Sequence, residues 1–339
     1  MVIDKIIVET LKDEDGIWHG PAGGYWSNLD IDENKEYLKD LSVQGACKTV
    51  EKYFPQYSDV IFSPKRAGGL PLLDLQLGEI IVDVGCMWGA LTIPLAKAGG
   101  VIVAIDQTLD SLRLLKQRLI DEKLINVEIV CSDLKKISYQ KSSVDKFIVN
   151  GVLEWIPEKG TIELKKYYGK KTEKKGTCAS MSPDRLQSDF LKNIYVGLKD
   201  GGELYLAIEN RFDFFYFLGL PDPHCNIKFI TFLPRKLQNF VSKLILRRPY
   251  VNWTYSKLAL KKILKKSGFR EVLIYNSFPD YRYPEFILTD KGMRFYSPCL
   301  YRRGKNHVIK IFCYMIEFLV FKMLRLNFFS PSFIVIARK

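Results

Sequence analysis

The chain has 339 residues, 47 % of them apolar, and carries 51 Lys and Arg against 38 Asp and Glu, a formal charge of +13. That apolar share supports a real core and the length suits one large α/β domain with additions. The charge favours anionic partners such as nucleic acid, an acidic membrane face or phosphorylated molecules. Seven cysteines without a C-x-x-C pair read as reduced thiols of a cytoplasmic protein, and three histidines are too few to suggest a Cys/His metal site.

The first residues, MVIDKIIVETLKDEDG, carry acids where a secretory signal needs a basic start and an apolar stretch, so export is not expected. Residues 1–78 read as an irregular extension with some helix, a lid or acceptor region rich in aromatics such as Trp18, Tyr25, Trp26 and Tyr57. The glycine-rich loop at 20–26 reads as a surface turn, because no strand signal precedes it.

A regular alternation begins at Glu79. EIIVDVGC (79–86) has the continuous apolar run of a buried parallel strand, and ALTIPLAKAGG (90–100) reads as a helix closed by glycine. VIVAID (101–106) is a second strand. A helix follows with Leu112, Leu115 and Leu119 on one face and Arg113, Lys116 and Arg118 on the solvated side. VEIVCSD (127–133) is a third strand, and DKFIVNGVLEW (145–155) contains a fourth. The lysine-rich stretch 158–183 reads as a loop. Pro183 suits the first turn of a helix through Leu198, and GELYLAIEN (202–210) is a fifth strand. Ser256 can cap a helix to Lys266, EVLIYNSF (271–278) is a sixth strand and SFIVIARK (332–339) a seventh. Such alternation implies a mostly parallel, doubly wound sheet covered on both faces. The expected parts are an extension at 1–78, a core at 79–279 with an acceptor-side insertion at about 211–255, an aromatic, basic and helical insertion at 280–330, and a last strand at 331–339.

The chemistry-bearing motif is strand, then Asp83-Val84-Gly85-Cys86-Met87-Trp88-Gly89, then helix. Such a loop lies at the carboxyl edge of the sheet, where doubly wound folds bind ligands. Gly85 permits a sharp turn, Gly89 a close approach, and the helix start offers N–H groups to a carboxylate. Asp106, with Gln107 after it, ends the second strand where a carboxylate can accept from ribose hydroxyls. Asp133, between Ser132 and Leu134, ends the third where it can accept from an adenine amino group. Asn150 ends the fourth beneath the reacting centre. With Asp83 for an ammonium, this set answers S-adenosylmethionine (SAM).

These elements, VDVGCMWGALTIPLA, VIVAID and CSDL, resemble class I SAM-dependent methyltransferases. The resemblance implies a seven-stranded sheet in order 3-2-1-4-5-7-6, last strand antiparallel, with SAM held by Asp83, Gly85, Cys86, Gly89, Asp106, Gln107, Ser132, Asp133, Leu134 and Asn150. One departure is Met87, where the family usually has glycine. The stretch LKDGGELYLAIENRFDFFYFLGLPDPH (198–224) and Phe278-Pro279-Asp280-Tyr281 are similar to methyltransferases of bacterial cell-surface polysaccharide biosynthesis. That similarity implies a sugar hydroxyl as acceptor, on a small molecule or a lipid-linked glycan.

A hydroxyl needs a general base, and the candidates are Glu154, His224 and Asp280, with Asn210 and Arg211 as acceptor contacts. RNA (tRNA) methylation is the alternative, although Asn150-Gly151-Val152-Leu153 lacks the prolines of base-amino methylation. A non-catalytic binding protein of the same fold is a further alternative. A nicotinamide oxidoreductase is disfavoured, since the loop does not follow G-x-G-x-x-G. The apolar helix expected from His307 is interrupted by Lys310, Glu317, Lys322 and Arg325, so it is read as packed on protein or lying on the inner face of the cell membrane, not crossing it. No metal is expected.

Overall fold

The computed structural model describes residues 2–7, 11–12, 16–21, 31–158, 182–289, 292–295, 315 and 326–339. Most of the lysine-rich loop, the basic residues 301–305 and the apolar helix expected from His307 therefore lie outside the described residues.

Among the described residues eleven strands form one sheet: β1 (Leu11–Lys12), β2 (Trp18–His19), β3 (Ile80–Val84), β4 (Val101–Asp106), β5 (Val127–Cys131), β6 (Val144–Asn150), β7 (Leu198–Glu209), β8 (Glu271–Phe278), β9 (Phe286–Thr289), β10 (Gly292–Phe295) and β11 (Ser332–Arg338). Their spatial order is β1-β2-β5-β4-β3-β6-β7-β11-β8-β9-β10. The inner seven follow the expected 3-2-1-4-5-7-6 order, and β11 runs antiparallel between β7 and β8. The count of seven is corrected by a short strand pair at each edge. A strand does precede Gly20, because β2 pairs parallel with β5 through Trp18↔Val130 and His19↔Cys131. Two-residue strands carry too little alternation to be read from sequence.

Alternate side chains of the central strands enter opposite layers. Val82, Val103, Phe147 and Leu204 join one core with helices α5 (Pro183–Gly197) and α8 (Lys257–Lys266), whereas Ile81, Ile102, Ile148 and Tyr205 join the other. Helices α1 (Ile31–Tyr53) and α2 (Ser58–Phe62) lie beyond α4 (Leu109–Asp121), on a cluster of Tyr37, Val50, Ile61 and Leu114. The sheet is thus covered on both faces, as a parallel sheet requires.

One charge is misplaced by the sequence reading. Arg118 is buried, not solvated: it donates to the Trp88 carbonyl and lies 4.9 Å over the Phe62 ring. Burial pulls its pKa down to about 10. The N-terminal extension covers that flank of α4, so the helix has less solvated surface than its own periodicity suggests.

Candidate active site at the carboxyl edge of the sheet

The ends of β3, β4 and β5 lie side by side, since Val84 pairs with Ile105 and Asp106 with Cys131. The chain leaves β3 through Gly85 and reaches α3 (Thr92–Lys97) through Gly89, with φ of 72° and 78°. Both values lie in the left-handed region open to glycine. A Cβ on Gly85 would stand 2.5 Å from Val152 Cγ2. Between these glycines Met87 takes φ 45° despite its side chain, and is 41 % exposed. A non-glycine residue held there stores roughly 1–3 kcal/mol.

Asp106 braces this loop. Its Oδ2 accepts from the Met87 N–H at 2.9 Å and its Oδ1 from the Thr108 N–H at 2.9 Å. Burial raises its pKa, and the hydrogen bonds hold that rise in check. The Thr108 hydroxyl and the Gln107 N–H also favour its ionised form. Asp83 is buried, its Oδ2 accepting from Thr92 Oγ1 at 2.6 Å, and burial pushes its pKa up to about 6. Cys86 lies in the core beside Ile93 and Ala104, and the Gln107 carbonyl accepts weakly from Cys131 Sγ at 3.9 Å.

The end of β5 is overlaid by the N-terminal segment. Gly20 N–H donates to the Cys131 carbonyl at 3.1 Å, and the Pro21 carbonyl accepts from Asp133 N–H at 3.0 Å and Ser132 Oγ at 3.2 Å. Asp133 Oδ1 accepts from Lys135 N–H at 3.0 Å, and Leu134 packs half-buried on the main core.

A second group gathers at the ends of β6 and β7. Asn150 ends β6 with its Oδ1 buried and without a donor. A Cβ on the next residue, Gly151, would stand 2.3 Å from Tyr281 Oη. Glu154 follows in a single tight turn, 0 % exposed, with neither carboxyl oxygen receiving a hydrogen bond. Glu209 ends β7; its Oε1 accepts from Tyr281 Oη at 3.1 Å, and its Oε2 is buried without a donor. His224 is buried with Nδ1 3.5 Å from Asp222 Oδ1 and its ring 5.0 Å from that of Trp155. One ligand atom from each of Glu154, Glu209 and His224 lies within 4.8 Å of the others. Burial, then Glu209, pushes the Glu154 carboxyl well above the usual carboxylate range. Burial pulls His224 down, but Asp222, Glu209 and Glu158 outweigh it and raise its pKa. Asp222 is itself fixed by the N–H groups of His224 and Cys225 and by Tyr250 Oη at 2.9 Å.

Of the expected bases, Glu154 and His224 come together and Asp280 does not. Its Oδ1 accepts from Arg282 N–H at 2.7 Å and Tyr283 N–H at 3.2 Å, while its Oδ2 pairs with the Arg282 guanidinium at 3.1 Å. Asn210 is also corrected. It is 0 % exposed and donates 2.8 Å bonds to the Phe328 and Ser330 carbonyls, so it ties the chain together instead of reaching an acceptor. Arg211 donates to the Thr231 and Leu233 carbonyls, which braces the insertion after β7.

Two residues were not anticipated. Glu209 reads in sequence as the last polar position of a strand. Arg66 sits in the short helical turn Pro64–Leu72, with its Nε buried and lacking an acceptor. It lies 6.0 Å from the Tyr283 ring and close enough to Asp83 to favour that carboxylate.

Residues 81–168 match the family model described as a methyltransferase domain. A stretch of 77 residues is 38 % identical to the probable ribosomal RNA small subunit methyltransferase A of Methanosphaera stadtmanae, covering 23 % of this chain and 28 % of that protein. Among solved structures, phosphoethanolamine N-methyltransferase 2 of Haemonchus contortus, in complex with phosphomonomethylethanolamine and S-adenosylhomocysteine, is similar at TM-score 0.48 and 14 % identity, over 92 % of this chain and 60 % of that one. A SAM-dependent methyltransferase of Mesorhizobium loti is similar at TM-score 0.45 and 15 % identity, over 83 % of this chain and 100 % of that one. Neither likeness bears on the acceptor. The stretch similar to a methyltransferase domain thus holds β3 to β6, and the sheet edge just described is the carboxyl edge of those strands.

Proposed function

We propose that the whole chain is a SAM-dependent methyltransferase acting on a hydroxyl acceptor, of the kind carried by a lipid-linked glycan in cell-surface polysaccharide biosynthesis. The observation that carries this reading is an adjacency. The glycine loop and the ends of β4 and β5 abut, through Gly85 and Val152, a buried cluster of acid–base groups.

The residues fit SAM. Gly85 and Gly89 let the loop pack against Val152 and Leu115, where a Cβ would stand 2.5 and 2.3 Å from their side chains. Asp106 and Asp133 place carboxylates at adjoining strand ends, where ribose hydroxyls and an adenine amino group would donate to them. Asp83 answers an ammonium, and Arg66 brings a buried N–H without an acceptor to a carboxylate. SAM supplies an electrophilic methyl on its sulfonium. The work of the chain is to hold the acceptor atom about 3–3.5 Å from that methyl, in line. A hydroxyl must also lose its proton, and Glu154, Glu209 and His224 offer buried acceptor atoms for it. An amine that is already neutral makes no such demand, so the cluster favours an oxygen acceptor.

A membrane-borne acceptor is supported by α7 (Arg235–Leu246). Leu237, Phe240, Leu244 and Ile245 are exposed at 49, 63, 72 and 57 %, flanked by exposed Lys236, Lys243 and Arg247. Asp222 is the sole acid between residues 214 and 249, and it is buried. RNA would engage the charge but not the apolar face, whereas an anionic lipid surface engages both. Among the described residues no helix is long and apolar enough to cross a membrane.

The test is incubation of labelled SAM with nucleotide sugars, lipid-linked glycans, tRNA and ribosomal RNA. Label is expected in the sugar-bearing acceptors; label in RNA alone overturns the glycan reading. Flotation with anionic vesicles tests delivery, and Phe240→Asp with Leu244→Asp should abolish it.

A further inference from the structure

Three buried carboxyl oxygens converge without a donor, Glu154 Oε1 and Oε2 and Glu209 Oε2, and the imidazole of His224 lies beside them. Ionised carboxylates in such a place are unfavourable unless a positive charge or hydrogen bonds compensate them. Among the described residues Arg282 is a cation that favours the Glu154 carboxylate, and Asp280 already holds it at 3.1 Å. The surrounding groups act as a frame. Tyr281 Oη fixes one oxygen of Glu209, and Asp222 Oδ1 stands 3.5 Å from His224 Nδ1, which leaves Nε2 as the ligand nitrogen. A carboxylate beside a histidine in this way orients the ring and raises its basicity as a ligand.

We propose that Glu154, Glu209 and His224 bind one first-row divalent cation, with Mn²⁺ and Zn²⁺ the ions that best suit two carboxylates and an imidazole. Ligand atoms about 2.0–2.2 Å from one centre are at most roughly 4.4 Å apart. The observed spread, within 4.8 Å, closes with side-chain shifts of a few tenths of an ångström. Three protein ligands leave coordination positions for water and for the acceptor hydroxyl. A hydroxyl oxygen bound there is held in place beside the methyl donor and releases its proton more readily. The role of the ion rests on the methyl-transfer reading above; its binding does not. A rival account of the same cluster, two carboxyls sharing one proton, requires no metal.

The test uses the full chain stripped with EDTA and dialysed. Mn²⁺ uptake is read by electron paramagnetic resonance and Zn²⁺ uptake by calorimetry, with S-adenosylhomocysteine (SAH) binding measured in parallel. The wild type should take up one equivalent. Glu154→Gln and Glu209→Gln should weaken uptake by more than about 100-fold, beyond what loss of an outer partner costs, while binding SAH normally, which shows that they are folded. A wild type that binds SAH yet takes up neither ion overturns the proposal, as does equal uptake by both variants. If the wild type takes up metal but fails to bind SAH, the site stands and the methyltransferase reading falls.

Discussion

Asp106 Oδ2 accepts the Met87 N–H at 2.9 Å, so the acid at the end of β4 holds the glycine loop in a conformation that Met87 itself disfavours. The Met87→Gly variant should relieve that strain. The expected result is a gain of about 1 kcal/mol in urea unfolding and SAH binding at least as tight as in the wild type. Little burial is lost, since Met87 is 41 % exposed. A destabilised variant would mean that the methionine side chain contributes more than its backbone strain removes.

Gly85 couples the loop to the second cluster. Gly85→Ala places a methyl 2.5 Å from Val152 Cγ2 at φ 72°, so it meets both a clash and a disfavoured backbone. Adding Val152→Ala removes the clash alone. The double variant should recover part of the stability lost by Gly85→Ala beyond the independent cost of Val152→Ala, a coupling that a double-mutant cycle measures. Strict additivity would contradict the contact.

Burial pushes the pKa of Asp83 up to about 6, from 3.8. The folded state therefore binds this proton more tightly than the unfolded chain. Its contribution to stability is fully present below about pH 4 and is lost as pH rises through 6, to the extent of ~3 kcal/mol at about 1.4 kcal/mol per unit. Asp83→Asn, which can still accept from Thr92, should lack this decline. Relative to wild type it should gain stability between pH 4 and 6 and then hold a constant advantage. Parallel curves for the two proteins would show that Asp83 does not titrate in this way.

Arg66 has a buried Nε with no acceptor, and a bound carboxylate would provide one. Arg66→Met should weaken SAH binding about tenfold to a hundredfold, as expected for a hydrogen bond to a charged group, without lowering the thermal midpoint. Unchanged affinity would remove Arg66 from the site.

The order of the inner seven strands was legible because each is a five- to twelve-residue buried run bounded by turns or helices. The strands missed in the N-terminal region are two residues long, and β9 and β10 are an antiparallel pair of four residues each inside an aromatic stretch that carries no clear alternation. Glu154 and His224 stood out as titratable groups after apolar runs. Glu209 did not, because its partners Tyr281 and His224 come from distant segments that only the fold brings together. Asn210 misled for the same reason: its hydrogen-bond partners lie near residue 330, some 120 positions away.

The central claim is that the crevice between Gly85, Asp106 and Asp133 holds an adenosyl sulfonium. The most direct measurement is calorimetric titration of SAH into the wild type and Asp106→Ala. Saturable one-to-one binding by the wild type, with severe weakening in a variant whose circular dichroism is unchanged, is the predicted result. No binding to the wild type, or equal affinity in both proteins, would contradict it.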